Sequence, residues 1–223
     1  MSLEEKEGIV LKSFPYQENK RIISLFTEEG LFQLLVRLSK TSNHLNALTT
    51  PLAHGLFIYK TKASQLHEFQ EASLISSHDR YLRSYTHLES AQLLTHIVLV
   101  SHLTGKPTPL LYRLLRLYLK HLPSFPHPKT LVDSFILKTL YHEGLLALDL
   151  TCSRCHKEKS QTLHYGACYC PSCTPQGCPI FEKSEWEQIL ILTTAKQIQT
   201  LKDLPHLEGF HEKTLKLFKE RFE

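Results

Sequence analysis

The chain has 223 residues, 42% of them hydrophobic and 22% charged, a balance that supports a sizeable core and excludes a disordered or fibrous polymer. Net charge is +4 with histidine neutral, which permits an anionic partner without demanding one. Residues 1–80 carry nine Lys/Arg against nine Asp/Glu, 81–150 seven against four, and 151–223 ten against nine, so the excess sits in the middle third. The opening Met1-Ser2-Leu3-Glu4-Glu5-Lys6-Glu7-Gly8 has acidic residues where a signal peptide needs basic ones. The apolar runs are short and broken. A cytoplasmic protein with no membrane span is therefore expected.

The first region, to about residue 80, reads as β-rich. Gly8–Phe14, stopped by Pro15, is a strand-like run, followed by Ile22–Thr27 and Leu31–Val36. Glu28-Glu29-Gly30 joins the latter two in a hairpin whose Gly supplies the positive φ. A tract from Leu52 to Lys62 and another from Leu66 to Gln70 complete five short strands, which points to a small barrel or sandwich. Residues 38–50 match no pattern.

From about 81 onward the spacing turns helical. Leu88, Ala91, Leu94 and Val98 form one apolar face. Thr108-Pro109 opens a second helix carrying Leu111, Leu114, Leu115 and Tyr118, with Thr108 as N-cap and Pro109 at the first position. Thr130 and Asp133 stand at capping-box spacing ahead of a third helix, which Gly144 closes. Ser184 and Glu187 form a further capping box, and a last helix spans Leu207–Phe222.

All six cysteines lie between 152 and 178. In a reducing compartment such a cluster reads as a metal site before it reads as disulfides. Cys152-Ser-Arg-Cys155 and Cys170-Pro-Ser-Cys173 are two C-x-x-C turns, each able to place two thiolates about 2.3 Å from one Zn²⁺. Four thiolates close a tetrahedral shell and leave no open position, so one structural zinc ion is expected. A redox dithiol and an iron–sulfur cluster are the alternatives. Cys168, Cys178, His156 and His164 are the other donors nearby. There is no H-E-x-x-H, G-x-S-x-G, P-loop or G-x-G-x-x-G motif, and eight glycines are few for a phosphate cradle. No enzyme activity is expected.

The passage Phe135–Cys155, with its helix, Gly144 turn and first cysteine pair, resembles the RecO family of DNA-repair mediators. Gly166-Ala167 ahead of the second pair, Glu7–Ile22 at the start, Ser24–Glu28 and the Leu111–Arg116 helix are similar to further blocks of that family. The resemblance implies an α+β chain: an N-terminal five-stranded OB-fold barrel over 1–80, then a helical domain over 81–223 carrying a four-Cys zinc ribbon at about 150–178. It also implies binding of single- and double-stranded DNA, strand annealing, contact with the acidic C-terminal tail of single-stranded DNA-binding protein, and pairing with RecR to load RecA. Such a protein would be cytoplasmic and nucleoid-associated.

Two departures from the family pattern stand out: Arg37-Leu38-Ser39-Lys40-Thr41 replaces a more basic stretch, and Lys20 stands where an acidic residue is usual. Candidate nucleic-acid contacts are Lys12, Lys20, Arg21, Arg37 and Lys40, with Phe14, Tyr16, Phe26, Phe32 and Tyr59 as possible stacking partners. Arg113 and Arg116, beside Leu111 and Leu115, are the candidates for holding the acidic tail. The competing expectation is a zinc-ribbon docking or regulatory module that binds no DNA.

Overall fold

The computed structural model of the chain describes residues 2–38, 43–82, 84–149, 151–157 and 159–222. Five strands come first: β1 (Leu3–Gln17), β2 (Lys20–Thr27), β3 (Gly30–Arg37), β4 (His54–Lys60) and β5 (Leu66–Ser76). They close into a barrel in the order β1-β2-β3-β5-β4, with β4 returning to β1. Among the described barrel strands, β3–β5 is the parallel pair and the others are antiparallel. This closed five-stranded arrangement is the OB-fold.

β1 closes the barrel because it is long enough to pair twice. Its first half, Leu3–Ile9, runs against β4, and its second half, Ile9–Gln17, against β2. Pro15 does not end the strand. It lies opposite Arg21 beside an irregularity in the register, where a missing N–H costs no ladder bond. Val10, Ile23, Leu25, Leu34, Val36, Ala53, Phe57 and Tyr59 fill the interior. A short helix, α1 (Asn43–Leu48), sits between β3 and β4, with Leu48 buried and Leu45 packed against that core.

Two helices follow, α2 (Tyr85–Ser101) and α3 (Pro109–His121). Pro109 holds the first helical position of α3 after Thr108, although the Thr108 hydroxyl makes no capping bond. The α2–α3 connection is stitched to the barrel: the Gly105 N–H donates to Leu31 O at 2.9 Å. Tyr112 of α3 meets Phe26 of β2 edge-to-face at 5.7 Å. Tyr112 thus helps to bury Phe26 on the outside of β2 as completely as the core side of the strand. The chain accordingly divides into two compact units, one ending at Ser124 and the other beginning at Phe125. The expected 81–223 helical domain is thus shared between them, because α2 and α3 pack on the barrel.

The second unit is built around α4 (Pro128–His142), buried continuously from Thr130 to Leu140, as a helix enclosed on all sides must be. Gly144, with φ +70°, ends it. The Leu145 N–H reaches Leu140 O at 2.8 Å and the Gly144 N–H reaches Tyr141 O at 3.1 Å, the paired bonds of a Schellman cap. Against α4 lie α5 (Lys183–Thr194) and α7 (Phe210–Phe222), with a short α6 (Ile198–Lys202) between them. Lys138 caps α5, donating to Ala195 O at 2.6 Å and Thr193 O at 3.2 Å.

Asp133 is not a helix cap. Its carboxylate is buried and bonded to His211 Nδ1 of α7 at 2.6 Å. The capping box of α5 is formed by Glu182 and Glu185 rather than Ser184 and Glu187. The cysteine region folds as a hairpin, β6 (Thr162–His164) and β7 (Ala167–Tyr169), between α4 and α5. Among the described residues no helix is long and apolar enough to cross a membrane.

Candidate nucleic-acid interface and metal centre

Strand register decides which barrel cations share a face. Ser13, Ile23 and Leu34 are aligned, as are Pro15, Arg21 and Val36, and this is the core side. Lys12, Ser24 and Gln33 are aligned on the opposite side, followed by Phe14, Ile22 and Leu35, and then by Lys20 opposite Arg37. Lys12, Phe14, Lys20 and Arg37 therefore project outward from one sheet surface. The Lys12 ammonium lies 5.9 Å from the centre of the Phe14 ring. Lys20 Nζ donates to Gln17 Oε1 at 2.7 Å. Arg37 approaches Glu68 of β5 at 3.6 Å, and Glu68 is shared with Lys62 at 3.1 Å. That bond to Lys62 holds the Glu68 carboxyl below its ordinary range. Gln17, Glu18, Asn19, Lys20, Arg37 and Leu38 line a cleft of about 410 Å³ at the β1–β2 turn.

Arg21 is different. Register turns it to the core side, where it donates to Thr49 Oγ1 at 2.9 Å just beyond α1. Lys40 lies outside the described residues. Of the proposed stacking partners, Phe26 and Tyr59 are buried and Phe32 packs against the core. Tyr16 is 53% exposed at the tip of the β1–β2 hairpin, and Phe14 is half-buried.

The candidate metal centre is assembled by two turns that flank the β6–β7 hairpin. Cys152, Cys155, Cys170 and Cys173 place their sulfurs within 4.8 Å of one another. Cys155 Sγ and Cys170 Sγ stand 3.8 Å apart, which is the edge of a tetrahedron with metal–sulfur bonds of about 2.3 Å. Cys152 and Cys170 are fully buried. The Arg154 N–H points at Cys152 Sγ at 3.4 Å. Burial pushes the Cys152 thiol up, but backbone N–H groups of Cys155, Cys170 and Arg154 more than offset this and leave it at about 6. For Cys173 the bond to Cys170 lowers the thiol, yet burial and the neighbouring sulfurs raise it further. One thiolate thus forms readily and the next resists ionising, a conflict that a divalent cation relieves. The donor set fits a metal ion.

Cys168 stays outside the shell. It is buried, donates to Ala147 O at 3.2 Å, and burial pushes its thiol up to about 11. Cys178 is not part of the cluster. His156 is exposed and His164 faces Glu220 at 4.0 Å.

The family model "Recombination protein O N terminal" matches residues 1–78. The "DNA repair protein RecO" of Chlamydia pneumoniae is 27% identical over 206 residues, covering 92% of this chain and 78% of that protein. Its counterpart in Chlamydia muridarum is 26% identical over 198 residues, covering 87% and 85%. That of Bacillus pumilus is 31% identical over 125 residues, covering 53% and 46%. The chain is thus similar to RecO proteins over most of its length, and its first 78 residues match the family's N-terminal domain.

In this chain the arginines expected to hold a partner face the barrel. Arg113 Nε meets Glu28 Oε1 at 2.9 Å, and Arg116 meets Glu7 Oε1 at 2.7 Å. Leu115 is fully buried and Leu111 half-buried. Beside them a cleft of about 780 Å³ opens within the first unit. Its floor includes Ile9, Leu52, Ile75 and Leu117, and Arg80, Arg113, Arg116 and Lys120 stand among the residues that line it. Arg80 and the half-buried His54, bonded to Glu7 at 2.8 Å, were not legible as site residues. Nothing local in the sequence connects either one to α3.

Proposed function

We propose that this chain is a non-enzymatic recombination mediator in DNA repair. In this reading it binds single- and double-stranded DNA on the outward β1–β2–β3 face, anneals complementary strands, and works with RecR and single-stranded DNA-binding protein to load RecA. The observation that carries it is the projection of Lys12, Lys20 and Arg37 with Phe14 from one OB-fold surface. Cations that track a backbone beside an aromatic that can stack a base are what sequence-tolerant single-strand binding requires. A protein engaged with DNA in this way would be cytoplasmic and nucleoid-associated. The metal in this reading is one structural zinc ion: four thiolates at tetrahedral spacing suit Zn²⁺ and leave no position for substrate.

The test is binding to a labelled single-stranded oligonucleotide across a salt series. Binding that weakens with salt, and a shallower log–log slope in the Lys20→Glu/Arg37→Glu variant, are expected. No binding at low salt would remove the DNA reading and leave the docking module.

A second reading is favoured by the 780 Å³ cleft, whose apolar floor and four cations match an acidic peptide with an apolar side chain, such as the tail of single-stranded DNA-binding protein. Charge reversal at Arg113 and Arg116 should weaken peptide binding at least several-fold. Unchanged anisotropy titrations would end that assignment.

A further inference from the structure

The ribbon's two cysteine pairs come from separate stretches of chain, and the C-terminal helix touches both. Arg221, in the last turn of α7, donates through one guanidinium nitrogen to Tyr165 O and to Leu145 O, the latter at 3.4 Å. Leu145 lies on the segment leading to Cys152. Tyr165 lies at the hairpin tip from which β7 runs to Cys170. The guanidinium also sits 5.6 Å from the centre of the Tyr165 ring.

The junction it occupies is tight. Tyr165 and Gly166, with φ +46° and +77°, form the two-residue turn between paired His164 and Ala167, and positive φ at both central residues is what such a turn requires. A Cβ on Gly166 would fall 1.8 Å from Leu145 O and 2.9 Å from Arg221. Gly166 O in turn accepts the Ala147 N–H at 2.7 Å. Two further α7 cations hold the chain beyond the second pair: Lys216 donates to Gly177 O, and Lys213 donates to Ile180 O at 3.0 Å while pairing with Glu185 at 2.7 Å.

We propose that Arg221 is a positioning residue for the metal centre, cross-linking the arm that carries Cys152/Cys155 to the hairpin that delivers Cys170/Cys173. Rigid placement of the four sulfurs before metal arrives lowers the ordering cost of binding. Outer groups that orient metal ligands typically account for 10–100-fold in affinity. The inference rests on the metal reading above.

The experiment is competitive titration of Zn²⁺ into the full-length, metal-free protein against a chromophoric chelator, with urea unfolding of the same apo samples. Wild type should take up one equivalent. Arg221→Ala should bind about 10-fold more weakly with an apo unfolding midpoint close to wild type, and Arg221→Lys, able to reach one carbonyl, should fall between. If wild type takes up no Zn²⁺, the metal reading falls and this inference with it. If wild type binds one equivalent and the variants bind as tightly, only the role of Arg221 is overturned. An apo midpoint that drops in step with affinity also overturns it, since a plain stability contact would do that. Should Arg221→Ala fail to fold, Arg221→Lys decides.

Discussion

Arg21 and Arg37 show how one residue of offset in a strand register separates two roles. Both are cations near the open end of the barrel, and both looked equivalent as phosphate contacts. Alternation sends Arg37 outward beside Lys20 and turns Arg21 to the core side, onto Thr49. Replacing Arg21 with Ala should therefore cost about 1.5 kcal/mol of stability, the scale of a hydrogen bond from a charged donor, and leave the salt slope of oligonucleotide binding unchanged. Arg37→Ala should do the reverse: stability within about 0.5 kcal/mol and a slope shallower by about 0.7. Urea unfolding and a salt series on both variants check the contrast, and a slope change in Arg21→Ala would place that side chain on DNA. The outward set was half legible from sequence. Alternation around Ile23 and Leu25 identifies faces, but the irregularity between Val10 and Lys12 shifts parity in β1 and cannot be read from one chain.

At the scale of elements, Glu7 joins β1 to β4 and α3. Its Oε1 meets His54 Nε2 at 2.8 Å, Arg116 at 2.7 Å and the Tyr112 hydroxyl at 3.4 Å. Burial works against the Glu7 charge, but the bonds from Arg116 and His54 outweigh it and hold the carboxyl below 4.5. Burial likewise holds His54 below 6.5 despite Glu7. Both signs lead the same way. The unfolded chain takes up a proton on His54 from pH 6.5 downward and on Glu7 from pH 4.5 downward, before the folded state does. Stability contributed by the pair is thus complete above pH 6.5 and declines in two stages as pH falls. Glu7→Gln should cost about 1 kcal/mol at pH 7 and flatten the decline below pH 4.5. A urea-midpoint profile running parallel to wild type would refute this. These pairings explain why α3 read as a free cationic face: the carboxylates that engage Arg113 and Arg116 are 85 and 109 residues away in sequence. Other elements were hidden for local reasons. α1 is six residues long, too short for a helical period to show in its Leu45, Ala47 and Leu48, and Glu182 is an unusual N-cap, which places the expected helix start at Ser184, two residues late.

Across the whole molecule, the neutral balance of residues 1–80 conceals an uneven distribution. Lys6 is held by Glu4 and Glu29, and Lys62 by Glu68, whereas Lys12 and Lys20 stand on the outward face without an ion pair among the described residues. Affinity for a single strand depends on phosphates neutralised, with a slope near −0.7 for each. Three outward cations, Lys12, Lys20 and Arg37, therefore set an expected slope of about −2, shallow for a nucleic-acid protein, whatever the overall charge of +4. The metal centre belongs to the second compact unit and the cationic face to the first. Removing the metal with a chelator should accordingly lower the thermal midpoint of the ribbon-bearing unit while the oligonucleotide slope stays near −2. A slope that collapses on chelation would mean that part of the phosphate contact lies on the ribbon, where Arg154, Lys157 and Lys159 are exposed. Charge reversal at those three positions, measured with metal bound, would then reproduce the loss.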